Sequence, residues 1–430
     1  MTGTSERYAL TWTGKADAVA VAQSSFTGEP IPVTDGNLLI EGDNLDALRL
    51  LQPGYTGKVK LIYIDPPYNT GSDFIYQDDF KDHSAWLSMI YPRLALARHL
   101  LRPDGVICIS IDDHEVHNLR MVMNELYGEE HFVACVANVN NPKGRSDGKY
   151  VATAHEYVLI YKKGEATLYG WAPEDKVLRR YRKVDEQGRR YREIDLRKTG
   201  TFDRREDRPN LFYYFLWNPE AQHLDLTRSE DVPDGYVQIA PLRDDGSHGR
   251  WRWEMSTARE RADRLIPRLM PHRKVWTVSE KDLLLEDERI KPTTAWTSPE
   301  FNSERGPEDM VALGFDKGVF PHPKPVGMLK RILEFATSAH GDDLVLDFFA
   351  GSNVTAQAVL EQNAADGGRR RFICAQLPQA LPEHSVARRH GFTTIADIGR
   401  ARVDRVIGRL NQSGPPGANE DRSYQLLKLT

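Results

Sequence analysis

The sequence predicts an α/β protein built on a mainly parallel sheet and interrupted by a long inserted region of mixed structure. Three observations predict it. Apolar runs of strand length alternate with amphipathic helical stretches at both ends of the chain. Two of those runs end in an acid followed by a tight turn, Asp65-Pro66-Pro67-Tyr68 and Asp347-Phe348-Phe349-Ala350-Gly351-Ser352. Between them, from Gly164 to about Gly318, lies a charged, proline-containing stretch with scattered Trp and Tyr and no sustained period.

Taken in order, residues 1–36 lack strong periodicity and read as an N-terminal extension. Asn37-Leu38-Leu39-Ile40 is a short strand that breaks at Gly42-Asp43, and Leu45, Leu48 and Leu51 mark a helix behind it. Lys60-Leu61-Ile62-Tyr63-Ile64 reads as a buried strand. Asn69-Thr70-Gly71 opens a polar loop running through Tyr76, Asp78 and Asp79. From Asp82 to Leu101 the apolar face of Trp86, Leu87, Ile90, Leu94, Ala97 and Leu100 predicts a helix, with Pro92 as its kink. Pro103-Asp104-Gly105 turns into a strand over Val106–Ile111, a helix follows over Val116–Leu126, and Tyr157–Tyr161 is one more strand. Regular α/β order returns with a helix near Pro325–Ser338, a strand over Leu344–Leu346, a helix after Ser352 and a strand over Arg371–Ala375. Residues 412–423 read as a loop near the C-terminus.

The chain of 430 residues is long enough for a full core plus an insertion, and 40% hydrophobic with 28% charged residues is ordinary for a globular protein. No apolar stretch reaches membrane-spanning length. Cys108, Cys135 and Cys374 are isolated, as buried small hydrophobes in a reducing compartment would be. A net charge of −5 argues against a protein that simply coats nucleic acid, so a nucleic-acid partner needs a local basic surface. Arg179, Arg180, Arg182, Arg189, Arg190, Arg204 and Arg205, interleaved with Tyr181, Tyr191 and Phe202, provide one; a self-paired charged surface is the competing reading.

Proline has no N–H, so Pro66 and Pro67 force the chain out of the sheet. A carboxylate, an outward carbonyl and a flat ring are left at a strand end, a set that grips a planar amine. The second turn brings backbone close to a nucleotide-like ligand, and with no Gly-Lys-Ser/Thr it is not a phosphate loop. An acid at Asp347 suits an ammonium group. Asp78-Asp79 and Asp112-Asp113 are read as loop and cap residues rather than metal ligands, and Trp86 and Tyr63 as core.

Asp65-Pro66-Pro67-Tyr68 resembles the catalytic tetrapeptide of amino-group DNA methyltransferases, most often those acting on adenine N6, and Asp347–Ser352 resembles their S-adenosylmethionine motif. Tetrapeptide first, variable region next and cofactor motif last is the permuted order of the β-class adenine methyltransferases. Further likeness covers nearly all the chain outside the insertion. Arg371-Phe372-Ile373-Cys374-Ala375-Gln376-Leu377-Pro378 is similar to the modification subunits of type III restriction systems. The resemblance implies a Rossmann-like, circularly permuted, S-adenosylmethionine-dependent methyltransferase fold. It divides the chain into an extension (1–36), a catalytic half (37–163), a target-recognition insertion (164–318), a cofactor half (319–411) and a tail (412–430). It implies Asp65, Pro66, Pro67 and Tyr68 as catalytic residues acting on a flipped-out adenine, with Asp65 and the Pro66 carbonyl accepting from N6. Asp43, Asn44, Asp65, His322, Lys324, Asp347, Phe349, Ala350, Gly351, Ser352, Asn353 and Gln376 would surround the cofactor, with no metal. Asn353 stands where the family turn has its last glycine, and Asn tolerates left-handed backbone better than most residues, so the turn can survive the change. The implied setting is a cytoplasmic, nucleoid-associated restriction-modification or phage-defence enzyme acting on double-stranded DNA as a homodimer, with a restriction or helicase subunit as a further partner. Cytosine N4 methylation is the alternative reaction, and a non-catalytic DNA-binding subunit that keeps the cofactor fold is the alternative of another class.

Overall fold

The computed structural model describes residues 9–24, 28–72, 75, 78–145, 149–271, 274–285, 289–413 and 422–429. They form two compact units, residues 172–290 and the remainder. Tyr76 and most of the loop expected over 412–423 lie outside the described residues.

The first unit opens with helix α1 (Lys15–Gln23), which the sequence reading did not separate from the extension. Its alanines fall on several faces and leave no apolar stripe. What holds it is tertiary: Trp12 Nε1 donates to Ser88 Oγ at 3.0 Å, and Lys15 Nζ meets Glu125 Oε2 at 2.6 Å. Strand β1 (Asn37–Glu41) and helix α2 (Asn44–Tyr55) follow, with the Asp43 carboxylate capping α2 by accepting from Leu45 N at 2.8 Å. All six residues of β2 (Val59–Ile64) are buried, as a strand covered on both faces requires. Helix α3 (His83–Leu100) runs through Pro92, and β3 (Leu101–Ile111) begins where it ends. The turn expected at Pro103-Asp104-Gly105 is an irregularity inside β3, where pairing with β2 jumps from Val59↔Leu101 to Leu61↔Val106. The buried Lys60 ammonium anchors it, donating to Asp104 O at 2.7 Å and Oδ2 at 2.9 Å. Helix α4 (Val116–Tyr127) and strands β4 (Phe132–Asn138) and β5 (Glu156–Lys162) complete this half.

The second unit, taken by itself, is mostly antiparallel. After the short helix α5 (Asp175–Leu178) come strands β6 (Lys183–Val184), β7 (Arg190–Asp195), β8 (Tyr214–Asn218), β9 (His223–Thr227) and β10 (Val237–Ile239), helix α6 (Met255–Glu260), and strands β11 (Leu265–Met270) and β12 (Val275–Leu283). They make sheets of order β11-β12-β7-β6 and β10-β8-β9 around a core that includes Tyr213, Phe215, Trp217, Trp251 and Val278.

Residues 164–171 and 291–318, expected in the insertion, fall in the first unit. Trp171 Nε1 donates to Arg331 O at 2.9 Å, and β13 (Ala295–Trp296) pairs in parallel with β4. Helices α7 (Arg305–Ala312) and α8 (Val326–Ala336), strand β14 (Leu344–Asp347), helix α9 (Val354–Asp366), strand β15 (Arg371–Gln376) and helices α10 (Val386–Arg389) and α11 (Ile395–Ser413) follow. Within the expected tail, β16 (Tyr424–Lys428) adds to the sheet beside β1. A strand of five residues at a sheet edge carries little periodic signal on its own.

The nine strands of the first unit lie in the order β13-β4-β5-β3-β2-β14-β15-β1-β16. Pairing is parallel from β3 through β16 and antiparallel on both sides of β5. At the centre β2 and β14 are neighbours, with Val345 opposite Leu61 and Leu346 opposite Ile62. The chain leaves β2 toward β3 and leaves β14 toward β15, in opposite directions. Such a reversal opens a crevice beyond the carboxyl ends of the strands.

Candidate functional site

The register places the acidic and polar strand ends on one edge. Asp65 follows β2, Asp347 closes β14, Gln376 closes β15 opposite Glu41, and Asp43 lies two residues past Glu41. Because β5 runs antiparallel to β3, its first residue, Glu156, reaches the same edge. The proline pair holds the turn out of the sheet, and Trp86 Nε1 fixes it by donating to Pro67 O at 2.7 Å. A buried tryptophan that reads as core therefore also sets the path of the tetrapeptide.

Two cavities open on this edge and meet at the tetrapeptide. The larger, about 470 Å³, is lined by Asp43, Asn44, Asp65, Pro67, His322, Lys324, Asp347, Phe349, Ala350, Gly351, Ser352 and Gln376, together with apolar Met89, Phe320 and Leu377. The second, about 430 Å³, is lined by Asp65, Pro66, Tyr68, Asn140, Glu156, His322 and Lys324. Pro67 faces one cavity, Pro66 and Tyr68 face the other, and Asp65 faces both. All four tetrapeptide residues and every expected cofactor residue except Asn353 line one or both cavities.

A polar network joins them. The Tyr68 hydroxyl donates to Asp65 Oδ1 at 2.8 Å and accepts from Lys324 Nζ at 2.7 Å. Lys324 Nζ also meets Glu156 Oε2 at 2.5 Å and lies 3.5 Å from Asp65 Oδ1. Asn138 Nδ2 donates to Glu156 Oε1 at 3.1 Å, so this nearly inaccessible carboxylate is held at both oxygens. Desolvation in the cleft pushes the Asp65 carboxyl up to about 6; the Lys324 ammonium opposes that rise and Glu156 adds to it. Desolvation opposes charge on Lys324, but Asp65 and Glu156 outweigh it and its affinity for the proton is raised. The Tyr68 phenol is raised well above its ordinary value by burial and by Asp65 and Glu156, so it stays protonated.

On the other side, Asp347 is 1% exposed and burial pushes its carboxyl up to about 7. Two hydrogen bonds oppose that rise: Thr355 Oγ1 donates at 2.5 Å and Phe349 N at 3.0 Å. Gly351 has φ 51°, and the backbone stays left-handed at Asn353 with φ 60° and ψ 37°. Ser352 Oγ accepts from the buried Arg402 at 2.6 Å, which ties the turn to α11. Gln376, expected among the cofactor residues, turns its amide inward: the amide oxygen accepts from Gly351 N at 2.7 Å and the amide nitrogen donates to Leu377 O at 3.1 Å. Asn44 likewise bridges inward, donating to Phe348 O at 2.7 Å and accepting from Arg93 Nε at 2.5 Å.

Sequence reasoning missed Glu156, Arg93 and Arg402. An acid standing directly before the apolar run Tyr157–Tyr161 was the available signal for Glu156. Nothing local marks Arg93 or Arg402, because their partners come from distant helices and turns. Asp78 and Asp112 serve their loops: Asp78 accepts from Asn69 N at 3.0 Å and Asp112 from His114 N at 3.0 Å.

In the second unit the expected basic surface is partly self-satisfied. Arg189 pairs with Asp185 at 2.7 Å, Arg190 donates to the carbonyls of Tyr181 and Leu178, Arg182 donates to Arg179 O, and Arg205 lies 4.0 Å from the Phe212 ring centroid. Arg179, Arg180 and Arg204 are exposed, and their guanidinium groups are in no ion pair among the described residues.

The DNA methylase family (N6_N4_Mtase) matches residues 59–377. The chain is similar to the type II methyltransferase M.KpnI of Klebsiella pneumoniae, 34% identical over 385 residues, which cover 88% of this chain and 89% of that protein. It is also similar to the Mod subunit of the type III restriction-modification enzyme EcoPI of Escherichia phage P1, 32% identical over 94% of this chain and 68% of that subunit. The StyLTI Mod subunit of Salmonella typhimurium is 33% identical over 90% of this chain and 59% of its own length.

Proposed function

The chain belongs to the DNA methylase family, and from that premise we propose that it methylates adenine N6 in duplex DNA, with S-adenosylmethionine as methyl donor. The observation that carries this reading is the position of Asp65 and its tetrapeptide between two cavities, one suited to the donor and one to the base. The residues of the larger cavity fit such a donor: apolar walls, acids at two strand ends, and in Asp347 a buried carboxyl that an ammonium neighbour would stabilise in its charged form. When bound, the donor supplies a methyl group on a sulfonium. The rest falls to the protein's own residues. The Asp65 carboxylate and the Pro66 carbonyl accept the two N6 hydrogens, which localises the nitrogen lone pair and aims it at the larger cavity. The Tyr68 ring stacks on the extruded base, worth about 1–3 kcal/mol. Asp65 takes the proton that N6 sheds. Lys324 holds Asp65 ionised, and Glu156 keeps Lys324 charged and in place.

The basic second unit, with Arg179, Arg180 and Arg204 exposed, supplies phosphate contacts in this reading. The expected setting is a cytoplasmic restriction-modification enzyme acting as a homodimer, with a restriction subunit as further partner; its Mod-subunit relatives support that setting. No helix among the described residues is long and apolar enough to cross a membrane. Incubating genomic DNA with the protein and the donor, then mapping modified bases, tests the reaction. N6-methyladenine in one sequence context is expected. N4-methylcytosine in its place, or no modified base, would overturn the reading.

The pH dependence follows from Asp65. Its carboxyl, held near 6, must be ionised to accept from N6, so kcat/KM falls about tenfold per pH unit below that value and levels off above it. Lys324→Met removes the cation that holds the carboxyl down and moves this acid limb to higher pH, whereas Glu156→Gln removes a repelling charge and moves it lower. Limbs that move together, or not at all, would remove Asp65 as the titrating group. The sign for stability is separate. The folded value exceeds the unfolded one, so the proton favours the folded state, and this group's contribution weakens as pH rises from about 4 to 6.

A further inference from the structure

Described residues of the segment between β4 and β5 line the second cavity, and the segment is pinned at its base. Asn141 N donates to Ala154 O at 3.1 Å and Arg145 N to Thr153 O at 2.8 Å. Across it, a Cβ added at Gly144 (φ +75°) would come within 2.6 Å of Ala152 Cβ, so the two arms touch. Asn140, Asn141 and Arg145 line the cavity that also holds Asp65, Pro66 and Tyr68. On the returning arm Tyr150 is 87% exposed and Val151 79%, the two most exposed large hydrophobic residues described. Adjacent apolar side chains this open to water forgo the stabilisation that burial would give each of them. The same hairpin carries Lys143, Arg145 and Lys149. None of the three is in an ion pair among the described residues, and Lys149 Nζ lies 5.2 Å from the Tyr150 ring centroid.

We infer that this hairpin is a wedge for duplex DNA: Tyr150 and Val151 fill the gap left in the stack when the target base leaves it, while Lys143, Arg145 and Lys149 meet the flanking phosphates. The inference rests on the base-extruding reaction proposed above. Extrusion costs a few kcal/mol in lost pairing and stacking, and apolar side chains inserted between base steps are a general way to offset that cost. Cations on the same hairpin as two exposed apolar side chains match a duplex, whose phosphates flank every step, better than an apolar protein surface. Asn140, Asn141 and Arg145 of this hairpin share a cavity wall with Asp65, the acceptor of the extruded base.

The test compares wild type with the double variant Tyr150→Ala, Val151→Ala on two duplexes carrying the mapped target sequence. One is fully paired; the other has an abasic site opposite the target base, so that extrusion costs little. The exposed substitutions leave the melting temperature near wild type. On the paired duplex the double variant should lose about 10- to 100-fold in kcat/KM and lack the fluorescence rise that 2-aminopurine at the target position gives with wild type. On the abasic duplex the loss should shrink to less than about threefold. Lys149→Ala should lower the slope of log affinity against log salt by about one, whatever the sequence. Equal losses on both duplexes, or none on either, would overturn the wedge while leaving the methyl-transfer reading intact. A wild type that modifies neither duplex would overturn both.

Discussion

Asp65→Ala should fold and hold the methyl donor yet lose methyl transfer by about a thousandfold or more. Asp65 is the group that accepts from N6 and takes its proton, and removing even one preorganised hydrogen-bonding group from a catalytic site costs about 10²–10³ in rate. The surroundings tolerate the change. Lys324 keeps Glu156 at 2.5 Å, so no ammonium is left buried without a partner, and the Tyr68 hydroxyl still accepts from Lys324. The carboxyl being removed is one that burial makes harder to ionise, so the melting temperature should hold or rise slightly. Single-turnover transfer of labelled methyl to the mapped duplex measures the loss, and calorimetric titration with S-adenosylmethionine measures donor binding. Turnover within tenfold of wild type would remove Asp65 from the chemistry. Lost donor binding would mean that the residue organises the larger cavity.

Gly306→Ala should be the most damaging of the glycine-to-alanine substitutions at described glycines outside both cavities. Gly306 lies at the start of α7, and a Cβ added there would sit 1.7 Å from Pro323 O and 2.7 Å from Pro323 C. The obstacle is backbone between two prolines, and it carries Lys324, so the strain passes into the Asp65 network. Overpacking of this kind costs about 1–3 kcal/mol, and contact this close places it at the upper end or beyond. Thermal melts and steady-state kinetics should both register the change, through a lower melting temperature and a reduced kcat. Gly408→Ala is the matched control: it lies in α11 with nothing within 4 Å of the added carbon, and alanine there should stabilise by about 0.5–1 kcal/mol. If the two variants melt alike, the path taken by Pro323 and Lys324 is more yielding than the packing indicates.

Much of the site was legible because its central parts are local. A β-rich run ending in Asp-Pro-Pro-Tyr can hardly continue as sheet, so Asp65 had to stand at a strand end. The same holds for Asp347 and the small-residue turn behind it, where Asn353 adopts the left-handed backbone that asparagine tolerates. Helix α1 and strand β16 were not legible, since one is held by Trp12 and Lys15 reaching α3 and α4 and the other by pairing with β1. Residues 164–171 and 291–318, read with the insertion, pack in the first unit because they owe their place to partners such as Arg331 and β4, which no local period announces.

By itself, the order of residues determined where strands must stop and which side chains are stranded there, since proline geometry, glycine freedom and apolar period act over a few neighbours. Only the tertiary structure decided that β2 and β14 are adjacent, that Glu156 arrives from an antiparallel strand to hold Lys324, and that Gln376 spends its amide on Gly351 N. Those outcomes depend on which buried faces and unpaired groups find one another across the whole chain, and sequence neighbourhood carries no record of that choice.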